Sequence, residues 1–255
     1  MADPLRSIDF DPVALWYDLH VRADFDHAFW IEEARRASGR ILELMCGTGR
    51  LSVPMLRSGA KLTCADYSAG LLGQLRRKLT AGQAADLVQA DARALPFTNA
   101  FDSVFIGFHA FAELSTERDQ REGLESIRQA LRPGGRLVLS LHNPAIRAPQ
   151  LDGAWRDFGA VPIPGTPHHL QVLAQFAYDS GAQLASGLQR YRVVEGERTV
   201  EEFDLPVRFR LITAPQFEDL AAQAGLRVET WWGDYQRGPL DPETSPYLIA
   251  SARRL

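Results

Sequence analysis

The sequence has little of three features that mark particular protein classes: cysteine, excess positive charge and long hydrophobic runs. Its 255 residues include two cysteines, Cys46 and Cys64, in neither a disulfide nor a metal-ligand spacing. We therefore expect a reducing, cytoplasmic setting and no bound metal. The formal net charge of -4 does not provide the basic surface that nucleic-acid binding demands, so nucleic acid is not an expected partner.

No stretch reaches the roughly 18 consecutive apolar residues that a membrane span needs. Residues 1–10 carry acids and a proline instead of the basic and apolar regions of a signal peptide. These absences predict a mature protein with no membrane partner. A chain of this length, 45% hydrophobic, has enough apolar material for one α/β domain with an elaboration of about fifty residues.

Short apolar runs alternate with amphipathic stretches over the first 150 residues. The runs are bounded by Gly, Pro, Asn or Asp and predict buried parallel strands at 40–45, 61–65, 86–90, 101–107 and 136–141. Stretches that open with a hydroxyl residue predict helices at 68–78 and 116–131. This alternation predicts a parallel sheet that is covered on both faces.

The pattern changes after residue 150. A stretch rich in proline and glycine, 161–167, precedes three alternating segments that predict antiparallel strands at 169–178, 183–194 and 199–211. We assign 151–206 to an antiparallel β insertion, and 1–150 with 207–255 to the core, in which 1–38 forms a helical lid segment. The insertion follows the carboxyl end of a strand, so we expect it to cap the ligand site, with a homodimer surface as the alternative.

The end of the chain returns to helix and strand. Thr213 followed by Pro215 predicts the start of a helix, and Gly225 predicts its end. Apolar runs then predict two more strands, at 226–232 and 247–252.

The most specific stretch, 41–50, is an apolar strand that ends in a glycine turn before a helix. Gly47 and Gly49 supply the freedom in φ that the turn needs and let a ligand approach the main chain. Asp66 ends the next strand about 20 residues further on, where a carboxylate can accept hydrogen bonds from ribose hydroxyls. Asp91 ends the third strand, near the expected position of a nucleobase. Together these strand ends predict a nucleotide-containing cofactor.

These motifs resemble those of the class I S-adenosylmethionine-dependent methyltransferases: Glu43-x-x-x-Gly47-x-Gly49, Asp66, Asp91-Ala92, and Leu131-Arg-Pro-Gly-Gly135 before a strand. The resemblance covers most of the chain. It implies a Rossmann-like, seven-stranded, mostly parallel sheet whose last strand is antiparallel. It also implies S-adenosyl-L-methionine as the cofactor, S-adenosyl-L-homocysteine as the product, and methyl transfer to N or O of a small molecule or a peptide N-terminus.

The resemblance also assigns roles to individual residues. Glu43 would orient the turn and the methionine amino end, Asp66 would hold the ribose, and Asp91 would meet the adenine amino group. The other expected cofactor contacts are Tyr17, Gly47, Gly49, Tyr67, Ala92 and Phe108. One position departs from the family pattern, because Met45 stands where glycine is usual and adds volume beside the methionine moiety.

The candidate catalytic residues come from three places in the chain. His109, after the fourth strand, is the leading candidate for acceptor contact or proton removal, with packing as its alternative role. His142, after the fifth strand, is a second candidate. Tyr17 lies in a segment that resembles the one closing over the cofactor in small-molecule members. Aromatic residues expected to supply an apolar acceptor pocket are Trp155, Trp231, Trp232 and Tyr235.

Two other functions stay open on the sequence alone. The first is a module that binds S-adenosylmethionine without turnover, and Met45 is its only local support. The second is a nicotinamide-dependent oxidoreductase, which fits less well because Ser52 stands where the nicotinamide fingerprint needs its third small residue.

Overall fold

The computed structural model describes residues 7–80, 83 and 85–255. Its strands are β1 (Ile41–Leu44), β2 (Leu62–Asp66), β3 (Ala85–Gln89), β4 (Phe101–Ile106), β5 (Leu131–His142), β6 (Asp152–Pro162), β7 (His169–Asp179), β8 (Leu184–Glu195), β9 (Arg198–Arg210), β10 (Leu226–Trp232) and β11 (Tyr247–Arg254). Its α-helices are α1 (Tyr17–His20), α2 (His27–Arg36), α3 (Ser52–Arg57), α4 (Ala69–Lys78), α5 (Glu117–Ala130), α6 (Pro144–Arg147) and α7 (Ala214–Gln223).

Seven strands form one sheet in the order β10-β11-β5-β4-β1-β2-β3. The five strands from β5 to β3 run parallel, and β11 is antiparallel to both of its neighbours. Side chains alternate across the strands and enter a hydrophobic cluster on each face. On β4, Val104 and Ile106 pack with α5 and α7, whereas Phe105 packs on the other face with α2, α3 and α4. The Rossmann-like sheet predicted from the sequence is therefore confirmed.

Three helices begin at hydroxyl side chains that act as caps. The Ser68 hydroxyl accepts a hydrogen bond from the amide of Leu71 at 3.0 Å, and Thr116 caps α5 in the same way. Thr213 forms a reciprocal capping box with Gln216 at the start of α7. Each cap satisfies an amide that has no partner within the first helical turn, which explains why these helices begin where the sequence predicts.

The four-stranded sheet is antiparallel throughout, in the order β6-β7-β8-β9. The sequence predicted its last three strands but not β6, whose pairing with β7 shifts register at two bulges. Gly153 and Gly159 lie in those bulges with φ of +80° and +82°. Bulges interrupt the alternation that identifies a strand in sequence. The sheet runs to Arg210, four residues beyond the boundary expected at 206.

The inner face of this sheet packs against the core of the molecule. Leu170 and Val172 on β7 and Val207 on β9 share a hydrophobic cluster with Val13 and Ala112. Val13 lies in the amino-terminal segment, and Ala112 lies in the turn that follows β4. The four-stranded sheet is therefore held beside the carboxyl end of a central strand. In the part of the chain that the structure describes, no helix is both long and apolar enough to cross a membrane.

Candidate active site

A first pocket opens at the carboxyl ends of β1, β2, β3 and β4. All the residues expected to contact the cofactor except Gly49 lie in its wall: Tyr17, Glu43, Gly47, Asp66, Tyr67, Asp91, Ala92 and Phe108. Parallel strands bring their carboxyl ends to one edge of a sheet, which explains why these residues meet. Their contact with a cofactor stays a prediction.

The two glycines of the turn after β1 have different surroundings. Gly49 has a φ of +81°, and a Cβ on it would lie 2.3 Å from Cδ1 of Leu75 on α4. Gly49 therefore allows the turn to pack on a helix, and it does not line the pocket as the resemblance had suggested. Gly47 has a φ of +55°, and no atom beyond its chain neighbours lies within 4 Å of the position its Cβ would take. The space above Gly47 belongs to the pocket.

Met45 adopts a left-handed backbone conformation with a φ of +58°. A non-glycine residue in such a conformation costs on the order of 1–3 kcal/mol when the surroundings impose it. This strain gives a physical reason for the glycine that is usual at this position in the family. Met45 is half-buried, lines the first pocket and packs against the hydrophobic cluster of the sheet.

Asp66 joins two turns at the end of β2. Its Oδ2 accepts a hydrogen bond from the amide of Gly47 at 2.7 Å, and its Oδ1 accepts one from the amide of Ser68 at 2.9 Å. Burial raises the pKa of the Asp66 carboxyl above its ordinary value, while these amides oppose the shift. Each oxygen keeps acceptor capacity for a ligand hydroxyl.

Glu43 is buried in the floor of the first pocket. Its Oε2 accepts a hydrogen bond from the hydroxyl of Ser52 at 2.5 Å. Burial raises the pKa of Glu43 to about 8, and the hydrogen bond from Ser52 opposes that rise. Ser52, considered on sequence only as a departure from the nicotinamide fingerprint, therefore holds this carboxyl in place.

Asp91 lies at the side of the pocket formed after β3. It pairs with Arg93, whose Nη2 lies 2.6 Å from Oδ2. Arg93 also pairs with Asp119 at the start of α5 and donates to Ser7 of the amino-terminal segment. This network fixes Asp91 at the pocket edge.

The amino-terminal segment covers the first pocket and is fastened by three aspartates. Asp11 accepts a hydrogen bond from the amide of Gly70 at 2.8 Å, and Asp18 pairs with Lys78 at 2.6 Å. The third aspartate, Asp26, is fully buried and pairs with Arg50 through both oxygens, at 2.5 and 2.7 Å. These contacts attach the segment to α4 at one end and to the residue after the glycine turn at the other. The sequence predicted a lid segment here but not the aspartate contacts that hold it.

Arg50 is the cation in the wall of the first pocket. Its guanidinium lies 4.3 Å from the ring centre of Phe108 while it pairs with Asp26. Arg22 lies in the wall of a second pocket.

The second pocket lies between the amino-terminal segment, the ends of β4 and β5, and the four-stranded sheet. Its apolar wall consists of Phe10, Val21, Ala23, Phe108, Ala112, Phe176, Val207 and Phe209. Its polar and charged wall consists of Tyr17, His20, Arg22, His109, Glu113, His142, Arg147 and Gln189. The tryptophans expected to form an acceptor pocket are elsewhere. Trp231 packs on Phe217 of α7, Trp232 packs on Phe29 of α2, and Trp155 is exposed.

His109 and His142 stack on each other with ring centres 4.0 Å apart, and His109 also stacks on Tyr247. Burial lowers the pKa of His109 to about 4 and lowers the pKa of His142 well below its ordinary value. Both imidazoles are therefore neutral near pH 7. Nδ1 of His109 is buried with no hydrogen-bond partner among the described residues.

Three residues line both pockets: Tyr17, Phe108 and Glu113. Phe108 and His109 are consecutive left-handed residues, with φ of 52° and 62°, in the turn that leaves β4. A short 3₁₀ helix, Ala110–Glu113, follows at once and brings Glu113 to the junction. Sequence reasoning missed Glu113, since a lone acid in a turn carries no spacing signal. Strained turns of this kind concentrate at functional sites.

Residues 41–135 match the family model of a methyltransferase domain. The demethylmenaquinone methyltransferase of Clavibacter sepedonicus is 40% identical over 104 residues, 40% of this chain and 41% of that protein. The chain thus matches less than half of that relative's length. The cypemycin N-terminal methyltransferase of a Streptomyces species is 26% identical over 226 residues, 88% of each chain.

The fold has solved counterparts along its whole length. The CcbJ methyltransferase of Streptomyces caelestis superposes with a TM-score of 0.77 at 24% identity, over 98% of this chain and 97% of that one. This likeness includes the four-stranded sheet as well as the core. The family model covers the glycine turn and the strand-end acids, and the superposed structure shares the order of the seven-stranded sheet, so the chain has the Rossmann-like fold of these methyltransferases.

Proposed function

We propose that this protein transfers a methyl group from S-adenosyl-L-methionine to N or O of a small molecule or a peptide N-terminus. The observation that carries the proposal is the meeting of two pockets at Tyr17, Phe108 and Glu113. One pocket has the strand-end acids and open glycine turn suited to a nucleoside, and half of the wall of the other is apolar. Methyl transfer needs two such neighbouring sites, because donor and acceptor must be aligned in line.

The residues of the first pocket fit the adenosyl cofactor. The free space above Gly47 allows a ligand to approach the main chain, which a side chain there would prevent. Asp66 would accept hydrogen bonds from the ribose, and Asp91 would face the adenine amino group beside Ala92 and Tyr67. Glu43 would orient the methionine amino end. The cofactor, when bound, supplies a methyl group already activated on a sulfonium.

The residues of the second pocket would bind and orient the acceptor and exclude water. Burial raises the pKa of Tyr17 above its ordinary value, so its phenol stays protonated and serves as a hydrogen-bond donor. The stacked His109 and His142 are neutral and offer a flat wall to the acceptor. This open second pocket favours turnover over a module that only binds the cofactor.

Calorimetric titration with S-adenosylmethionine, S-adenosylhomocysteine and NAD tests the cofactor assignment. Both adenosyl ligands should bind, and Asp66→Ala should weaken them about 10- to 100-fold through loss of charge-assisted hydrogen bonds. Asp86→Ala, an exposed acid on β3, is the matched control and should bind as the wild type does. Binding of NAD alone would reject the methyltransferase assignment.

We also propose that the outer part of the insertion pairs two copies of the chain. Trp155 and Phe158 lie on β6, an edge strand of the four-stranded sheet, and are 42% and 58% exposed. An edge strand with exposed apolar side chains favours pairing with a second chain. Sedimentation should show a dimer that Phe158→Asp converts to a monomer. A monomeric wild type would leave capping of the acceptor pocket as the role of the insertion.

A further inference from the structure

The two pockets share a single acid, Glu113, and its carboxyl is the one without a partner. The other acids of the first pocket are engaged: Glu43 by Ser52, Asp66 by two amides, and Asp91 by Arg93. Within the described residues, Glu113 makes no side-chain hydrogen bond or ion pair, and it is the only acid in the wall of the second pocket.

The surroundings of Glu113 favour a cation as its missing partner. Burial raises the pKa of its carboxyl to about 8, with a smaller contribution from the negative charge of Asp66. A half-buried acid with no counter-charge gains stability when a positive group reaches it, because attraction then offsets the loss of hydration. Arg50, which lines the first pocket together with Glu113, is already held by Asp26 through both oxygens.

We propose that Glu113 binds the protonated amine of the acceptor at the junction of the pockets and removes its proton. The inference rests on the proposed methyl transfer and narrows its acceptor to an aliphatic amine. A hydroxyl acceptor carries no positive charge to offset the burial of the Glu113 carboxylate, whereas an ammonium group does.

The step balances with the methyl donor named above. The acceptor binds to the ionised form of Glu113, which the positive charge of the ammonium stabilises. An N–H bond of the ammonium breaks, and its proton moves to a carboxylate oxygen of Glu113, which leaves a lone pair on nitrogen. That pair forms the new N–C bond to the methyl carbon as the C–S bond breaks and its electrons remain on sulfur. The products are an N-methylated ammonium and a thioether, and Glu113 then releases its proton to water.

Sinefungin gives a test that does not need the natural acceptor. In this analogue a carbon replaces the sulfonium sulfur, and an amine on that carbon takes the place of the methyl group. Its ammonium should reach Glu113. Calorimetry on the wild type should show sinefungin binding about 10- to 100-fold more tightly than S-adenosylhomocysteine. Glu113→Gln should lose that preference and keep the affinity for S-adenosylhomocysteine within about twofold, as expected when only one charged hydrogen bond is removed.

Two further variants make the result specific. Glu113→Asp should recover part of the preference, since it restores the charge on a shorter stem. Glu125→Gln, an exposed acid on α5, should behave as the wild type does. A Glu113→Gln protein that still prefers sinefungin, or a wild type that binds both ligands equally, would overturn the assignment. A wild type that binds neither ligand would instead overturn the proposed methyl transfer on which the assignment rests.

Discussion

The two pockets are built by different means. The first is made from strand ends and tight turns of the parallel sheet, and its polar groups are mostly paired with the protein itself. The second is assembled from the amino-terminal segment, the turn after β4 and the four-stranded sheet, and half of its wall is apolar. If the proposed function is correct, the fold fixes the cofactor site, whereas the added segments determine which acceptor can enter.

Phe209→Ala should have the largest effect, because it should lower stability through the second pocket and leave ligand binding in the first pocket unchanged. Phe209 is 8% exposed, lines the second pocket and contacts His142 and Phe176. Its truncation should lower the free energy of unfolding by about 3 kcal/mol, the low end for a buried phenylalanine because the pocket already borders it. Affinity for S-adenosylhomocysteine should stay unchanged. Urea unfolding and calorimetry measure the two effects, with Leu15→Ala, at a residue that is 68% exposed, as control. A parallel loss of cofactor affinity would show that the pockets are not independent.

Gly49→Ala and Gly47→Ala should distinguish a glycine that is needed for packing from one that is needed for ligand binding. A methyl group on Gly49 meets Leu75, so this variant should lose about 2–3 kcal/mol of stability through overpacking and backbone strain. Gly47→Ala places its methyl group in open space. It should lose about 1 kcal/mol from strain yet weaken cofactor binding more than Gly49→Ala does. Thermal unfolding with and without S-adenosylhomocysteine measures both. The reverse order of affinities would place the cofactor away from Gly47.

The dependence of stability on pH should have opposite signs for Glu43 of the first pocket and His109 of the second. The pKa of Glu43 is raised to about 8, so the folded state binds its proton more tightly and stability falls as pH rises from about 4.5 to 8. The pKa of His109 is lowered to about 4, so stability rises as pH rises from about 4 to 6.5.

Substitution of each residue should remove its own contribution to the dependence of stability on pH. Glu43→Gln should stabilise the protein at pH 8 relative to the wild type and not at pH 4, while His109→Asn should flatten the slope on the acid side. Each effect should be about 1–2 kcal/mol, or about 2–8 °C in melting temperature for a chain of this size. A wild-type pH profile that neither variant changes would contradict the burial of these two groups.

The fold could be predicted largely from the sequence, because its strands are short apolar runs bounded by turn residues and its helices begin at recognisable caps. Strand β6 escaped prediction because bulges at Gly153 and Gly159 break its alternation. The strand-end acids were found by their spacing. Contacts made only by tertiary packing left no such signal, as the pairing of Asp26 with Arg50 and the position of Glu113 show.

Gly49 and Met45 show the limit of motif reasoning. The motif identifies a glycine turn, but only the structure shows that Gly49 packs against Leu75 while Gly47 faces the pocket. The sequence marked Met45 as a departure from the family pattern, and the left-handed φ supplies the physical reason. Spacing identifies which residues meet, and three-dimensional packing decides what each of them contacts.

A crystal structure of the protein with S-adenosylhomocysteine tests the central claim most directly. The account predicts the nucleoside between Asp66 and Asp91 in the first pocket, with the sulfur pointing to the junction formed by Tyr17, Phe108 and Glu113. The second pocket would then be open beside that sulfur. A nucleoside bound in the second pocket, or a sulfur directed away from the junction, would contradict the account.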